Sequence, residues 1–297
     1  FMGASTGDML VDDPKTLEKI FAESPILVAT HCEDTPTIVA NETRFRKQFG
    51  NDVSMRHHAD IRSREACLKS SSLAVDLAKR HGTRLHVLHL TTADEMALFS
   101  SDLADSKSIT AEVCAHHLFF NSSAYDTHGT RIKCNPAIKS ETDRQALLQA
   151  LQDGRLDVIA TDHAPHTLEE KQHTYFQAPS GLPLVQDALS SLLEHYHRGD
   201  LTLPLIVEKT SHAVARLFNL RDRGYIREGY WADLVLVDLD KPHTVKAETA
   251  LARCGWSPFE GYRFQSTVDL TILNGQIVYR NGQIADPPHG LPLEFDR

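Results

Sequence analysis

Short apolar runs alternate with longer amphipathic stretches along the chain up to about Leu220. Ile26-Leu27-Val28-Ala29-Thr30-His31 follows Pro25 and predicts a buried strand. Residues 63–81 predict a helix with Ala66, Leu73, Ala74 and Leu77 on one face, closed by Gly82. The run from Arg84 to Leu90 predicts the next strand. A short helix around Met96 and a strand from Ile109 to Cys114 follow. Ser140 and Asp143 have the spacing of a capping box, in which each side chain satisfies the other residue's backbone N–H. They open a helix carrying Ala146, Leu147, Ala150 and Leu151. Asp157 to Asp162 predicts another strand, and helices are expected near 183–197 and 203–219. Strands that alternate with helices predict a parallel sheet or barrel.

The pattern changes near Gly224. Tyr225 to Asp238 reads as a turn feeding a strand. Val268-Asp269-Leu270-Thr271-Ile272-Leu273, then Asn274-Gly275, then Gln276-Ile277-Val278-Tyr279 reads as a hairpin, because Asn-Gly supplies the positive φ angles of a two-residue turn. A small β domain at 223–297 is expected to follow an α/β part at 1–222.

Composition narrows the partners. The 297 residues are 41% apolar, enough for a sizeable core. A net charge of −9, with both signs spread along the chain, argues against nucleic acid or an anionic membrane as the main partner. No apolar run approaches the ~20 residues that span a bilayer. Five cysteines without C-x-x-C spacing do not make a disulfide framework and fit a reducing, cytoplasmic setting. The chain opens on Phe1-Met2-Gly3 with no visible signal peptide, so a longer natural N-terminus is expected.

Several of the 17 histidines sit where apolar runs end. His31, His89, Glu112 and Asp162 fall at the carboxyl ends of predicted strands, the end that carries the site in parallel α/β folds. Imidazole and carboxylate donors suit zinc. A bound divalent ion lowers the pKa of water to ~7, and a nearby carboxylate can move the proton to a leaving nitrogen. Taken singly, a strand-end His reads as a hydrogen-bonded structural residue, Asp162 as a helix cap and His166 as a solvated loop residue. His86 points to the other side of its strand from His89 and reads as structural. His57-His58 and His116-His117 remain open. Coincidence at one end of successive strands favours the metal reading.

Five strings occur in order: Thr30-His31-Cys32-Glu33, His86-Val87-Leu88-His89-Leu90-Thr91-Thr92, Glu112-Val113-Cys114-Ala115-His116-His117-Leu118, Thr161-Asp162-His163-Ala164-Pro165-His166 and Cys254-Gly255-Trp256-Ser257-Pro258-Phe259-Glu260-Gly261. Together they resemble the dihydroorotases of the amidohydrolase superfamily, and allantoinases are similar. Ala232-Asp233-Leu234-Val235 and Asn274-Gly275-Gln276-Ile277-Val278 resemble that superfamily's composite β domain. The resemblance implies the C-terminal part of a metal-dependent (β/α)8 TIM-like barrel over 1–222. A small composite β-sandwich would occupy 223–297, with a loop returning toward the barrel around 253–263.

The implied activity is zinc-dependent, reversible hydrolysis of (S)-dihydroorotate to N-carbamoyl-L-aspartate, a step of pyrimidine (UMP) biosynthesis. By the same resemblance, His31 and His89 would bind the more buried metal. Asp162 would bind the other and serve as general base, then general acid. Asn135, His166 and the backbone at Ser180 and Gly181 would meet the substrate. Glu112 and His117 resemble positions that bind an additional metal or support the rim. The family's opening His-x-His strand is absent. Phe1 to Gly7 resembles the segment just after the carbamylated lysine that bridges two zinc ions, so this chain is expected to be the later part of a longer polypeptide. Implied partners are a small-molecule substrate, a second copy in a homodimer, and aspartate transcarbamoylase. Two alternatives stay open: an allantoinase or hydantoinase, and a non-catalytic scaffold that binds the transcarbamoylase.

Overall fold

The computed structural model describes residues 1–4, 9–102, 106–285 and 290–296. The Ser5-Thr6-Gly7 part of the opening segment lies outside them. Amphipathic stretches begin where a side chain can satisfy a first-turn N–H. The Asp13 carboxylate accepts from Thr16 N–H at 2.8 Å to open the helix Pro14–Glu23. Asp34 accepts from Thr37 N–H at 3.0 Å to open Thr35–Phe49. Ser63 accepts from Ala66 N–H at 3.3 Å to open Arg64–His81, and Gly82 ends that helix in the left-handed region at φ 69°. The predicted capping box at Ser140 and Asp143 is present and opens Glu141–Gln152.

Of the expected stripe of Arg64–His81, Ala66, Ala74 and Leu77 are buried, but Leu73 is not and the buried face is wider. Leu73 is 43% exposed, while Cys67, Ser70, Ser71, Ala74 and Ala78 face the interior. The serines made that face look polar in the sequence, but each has an internal acceptor. Ser70 Oγ donates to the Met2 carbonyl at 2.9 Å and Ser71 Oγ to Glu95 Oε1 at 2.6 Å. The expected helix at 203–219 is interrupted by a π turn. Leu203–Val207 and Ala213–Leu217 flank Glu208–His212, where the buried Lys209 Nζ reaches the Leu156 carbonyl at 2.6 Å. The turn around Met96 is a 3-10 helix, Asp94–Leu98.

Six short strands supply the parallel part: β1 (Met2–Gly3), β2 (Val28–Thr30), β3 (Cys32–Glu33), β4 (Leu85–Val87), β5 (Ile109–Cys114) and β6 (Val158–Ala160). β2, β4, β5 and β6 lie side by side in sequence order, all parallel, and β1 pairs parallel with β3. Order without reversal adds each strand on the same side of the last, so the sheet forms an arc of a barrel. Leu85, Val87, Ala111 and Val113 are buried against a helical layer that includes Val75, Leu77, Leu147 and Leu151. Each fully buried Leu or Val contributes roughly 1.5–3 kcal/mol. Most of the strands are shorter than the apolar runs predict, because the chain leaves the ladder before the polar residue that ends each run.

The chain then forms β7 (Leu234–Asp238), β8 (His243–Thr244), β9 (Arg263–Phe264), β10 (Thr267–Leu273), β11 (Gln276–Arg280) and β12 (Gln283–Ile284). An antiparallel sheet runs β12-β11-β10-β7, and β8 pairs with β9. Asn274 (φ 52°) and Gly275 (φ 81°) make the hairpin between β10 and β11, with both angles positive as a two-residue turn requires. Trp256 is buried, and its indole N–H donates to the His166 carbonyl at 2.9 Å. Among the described residues no helix is long and apolar enough to cross a membrane.

Ser140→Ala is expected to cost about 1 kcal/mol, read as a lower urea midpoint with unchanged slope. Ser140→Thr, which keeps the capping oxygen, is expected to hold most of that stability.

Candidate metal centre

Two imidazoles meet just beyond the ends of β2 and β4. His31 Nδ1 lies 3.1 Å from His89 Nε2, with the rings edge to face at 76°. Both side chains are buried. His89 leaves its strand at φ 39° and Asp162 leaves β6 at φ 49°. That left-handed region costs a residue with a Cβ roughly 1–2 kcal/mol, and the cost is tolerated where it re-aims a side chain. In both cases the reversal comes two residues after the last ladder residue.

His31 is held from behind. Glu33 Oε2 is 3.2 Å from His31 Nε2 and 2.6 Å from the Arg62 guanidinium, which also donates to the Ala4 carbonyl at 2.8 Å. Burial pushes the Glu33 carboxyl up, but Arg62 and His31 outweigh it and bring it down to about 2. A carboxylate at Nε2 favours the tautomer with its proton there, leaving Nδ1 as a lone pair facing His89. Metal-bound histidines are oriented by carboxylates in the same way. Burial, reinforced by His31, pushes His89 down to about 3, so its ring is neutral. Two ring nitrogens 3.1 Å apart fit a single zinc ion bound at 2.0–2.1 Å from each.

Asp162 follows the end of β6 and is exposed to solvent. Partial desolvation by its surroundings still raises its carboxyl above the usual carboxylate range; His31 opposes that shift and Glu112 adds to it. Glu112 Oε2 is 3.1 Å from His86 Nε2, whose Nδ1 is 2.9 Å from Thr110 Oγ1, so His86 is fully engaged inside the sheet.

A second group gathers beside the rim. Lys133 precedes Asn135 by two residues, and its carbonyl accepts from Gly181 N–H at 2.9 Å. Gly181 has φ 140°, and a Cβ there would lie 2.4 Å from the Ala164 carbonyl oxygen and 3.1 Å from His166 Cδ2. Asn135, His166, Ser180 and Gly181 are therefore neighbours. Asn135 Oδ1 is buried and accepts no hydrogen bond among the described residues.

His116 and His117 open the short helix Ala115–Phe119 directly after Cys114, and all three are buried. Burial pushes His116 down to about 3 and holds His117 well below its usual value. His117 groups with Cys114 and His116, not with Glu112.

Sequence reasoning assigned no role to Glu33, Lys133 or Lys171. The Lys171 ammonium is buried and donates to the carbonyls of Lys133 at 3.0 Å, Pro179 at 2.9 Å and Gly181 at 2.9 Å. Lys133 Nζ donates to Tyr175 and Ala178 carbonyls at 2.5 and 2.6 Å. A buried lysine in a stretch that reads as polar loop leaves no periodic signal. Glu33 was visible only as an acid two residues beyond His31.

The model of the amidohydrolase family matches residues 12–278. The dihydroorotase of Halobacterium salinarum is 35% identical over 268 residues, covering 88% of this chain and 60% of that protein. The dihydroorotase of Pyrococcus horikoshii is 31% identical over 290 residues, covering 98% of this chain and 62% of that protein. The chain thus spans about three-fifths of the length of these relatives. Among solved structures, the L-hydantoinase (dihydropyrimidinase) of Arthrobacter aurescens superposes with a TM-score of 0.89 at 24% identity, covering 96% of this chain and 64% of that one. Such likeness establishes the fold, a TIM-barrel arc with an appended antiparallel sheet.

Glu33 also sets an expectation for acid stability. Its folded value of about 2 lies below its ordinary 4.5, so its contribution is complete above about pH 4.5 and disappears as pH falls toward 2. Glu33→Gln is expected to lose on the order of 3 kcal/mol at neutral pH and to flatten the stability curve in that window. Denaturant titrations at several pH values measure both; an unchanged slope between pH 4.5 and 2 would contradict the assignment.

Proposed function

The chain belongs to the amidohydrolase family, and on that footing we propose that it is part of a dihydroorotase, a hydrolase of a cyclic amide C–N bond. The reaction is reversible hydrolysis of (S)-dihydroorotate to N-carbamoyl-L-aspartate in pyrimidine biosynthesis. One observation carries this reading: the His31 Nδ1 to His89 Nε2 approach of 3.1 Å just beyond the strand ends, backed by Glu33. The named relatives at 35% and 31% identity support dihydroorotate as the substrate.

In this reading His31 and His89 hold one zinc ion and Asp162 contacts a second. The metal, when bound, activates water and polarises the scissile carbonyl. The chain's own residues do the rest. Asp162 takes the proton of the attacking water on its carboxylate and returns it to the departing ring nitrogen. Its raised affinity for a proton suits a group that must hold one between two steps. Asn135 offers a shielded, unpaired carbonyl oxygen to a ring N–H. Gly181 fits against Ala164, where any Cβ would strike, and its backbone meets the ring. His166 closes the same side. Glu112 supports the rim through His86. Residues 1–222 carry the site and 223–297 the β domain, with Trp256 and Ser257 returning to it. A homodimer, cytoplasmic location and docking to aspartate transcarbamoylase complete the proposal.

Asp162→Asn in the full-length protein is expected to lower kcat by about 10²–10⁴-fold with the fold intact by circular dichroism. His31→Ala and His89→Ala are expected to lower zinc content by elemental analysis. Turnover of hydantoin or allantoin with none of dihydroorotate would overturn the substrate assignment. Normal turnover by Asp162→Asn would overturn the mechanism.

A further inference from the structure

The segment Cys114-Ala115-His116-His117 joins the end of β5 to the helix Ala115–Phe119. The Cys114 sulfur and one ring nitrogen from each histidine lie within 4.8 Å of one another, and all three side chains are buried. We propose that Cys114, His116 and His117 form a further metal site for a thiophilic cation of the zinc class, with a donor set separate from His31, His89 and Asp162.

The strongest support is what the imidazoles lack. Neither ring nitrogen of His116 has a hydrogen-bond partner among the described residues, although both are shut off from solvent. A buried polar atom left unpaired is costly, and native interiors seldom leave both ends of one ring empty. His117 adds an oriented lone pair. Its Nε2 lies 3.2 Å from the Pro136 carbonyl oxygen, which can only accept, so the proton sits on Nε2 and Nδ1 is the lone-pair atom. Nδ1 is itself buried and without a partner. A backbone carbonyl on the far nitrogen is how metal-bound histidines are commonly fixed. The two rings pack with centroids 3.9 Å apart, so both can turn toward one point.

Zinc bound at 2.0–2.3 Å brings its donor atoms to about 3.5 Å from one another, so small side-chain rotations within the present 4.8 Å close the site. Binding would release the Cys114 thiol proton and leave a zinc–thiolate bond. The sulfur distinguishes this set from the rim, whose donors are nitrogen and oxygen alone. Cys134 Sγ, 3.8 Å from His117 Nε2, is the neighbouring thiol that a test must separate from Cys114. The inference does not depend on which reaction the rim performs.

The test is cobalt in place of zinc, supplied during expression so that the ion enters as the protein folds. Cobalt bound by thiolate gives a near-ultraviolet charge-transfer band that nitrogen and oxygen donors do not. The band is expected in the wild-type protein, in His31→Ala and in Cys134→Ser. Cys114→Ser is expected to abolish it and lower cobalt by one ion per chain. Absence of the band in cobalt-loaded wild type, or its survival in Cys114→Ser, overturns the proposal. X-ray absorption at the zinc edge of Cys134→Ser reads the native ion with the neighbouring thiol removed. A sulfur shell at about 2.3 Å supports the site, and a shell of nitrogen and oxygen alone sinks it.

Discussion

Glu33 is fully buried two residues beyond His31, and its charge is answered by Arg62 at 2.6 Å and by His31 at 3.2 Å. An isolated carboxylate in that position would protonate, because burial disfavours its charge. Arg62 keeps it ionised. The ionised form orients the His31 ring and leaves Nδ1 directed at His89. Arg62 also donates to the Ala4 carbonyl, and Met2 N–H donates to the His31 carbonyl at 2.9 Å, so the first strand is tied to the same pair. The geometry of the rim thus depends on a buried charge pair whose two members must be present together.

The neighbouring substrate side is organised by another form of buried charge. Lys171 has three N–H donors and three carbonyl acceptors, and those acceptors belong to Lys133, Pro179 and Gly181. Burial pushes this ammonium down to about 7, and Lys133 to about 8, so each carbonyl contact counts toward keeping a proton in the interior. The consequence is positional. The loop bearing Ser180 and Gly181 is pinned to the segment after the 3-10 turn Gly129–Ile132, which bears Asn135, and a loop held only by its own backbone could not ensure that.

The parts of this arrangement that were legible in the sequence are those governed by short-range rules. The Ser140 capping box, the Gly82 stop and the Asn274-Gly275 hairpin each need only a few adjacent residues. The positions of His31, His89 and Asp162 just past β2, β4 and β6 were legible because apolar runs end near them, and runs end where strands reach a rim. Leu73 misled because apolar character is a poor guide on a helix that buries serines with internal acceptors. The π turn at Glu208–His212 left no mark in the sequence, and its Lys209 ammonium meets the distant Leu156 carbonyl. Glu33, Lys133 and Lys171 were hidden because one essential partner of each, Arg62 for Glu33, Tyr175 for Lys133 and the Lys133 carbonyl for Lys171, lies tens of residues away.

Histidine count was the first hint of chemistry, but the distribution of ring-nitrogen partners is the sharper signal. His58 engages the Tyr175 hydroxyl at 2.9 Å and the Cys134 carbonyl at 2.8 Å; His86 engages Thr110 and Glu112. Both nitrogens of each ring are occupied, so binding a metal would first break a buried hydrogen bond and strand its partner. His31 and His89 instead turn nitrogens toward each other, and only one proton can lie between them. His116 and His117 keep nitrogens that meet nothing. These buried imidazoles therefore divide by hydrogen-bond saturation, and the unsaturated ones are those with a lone pair free for a cation.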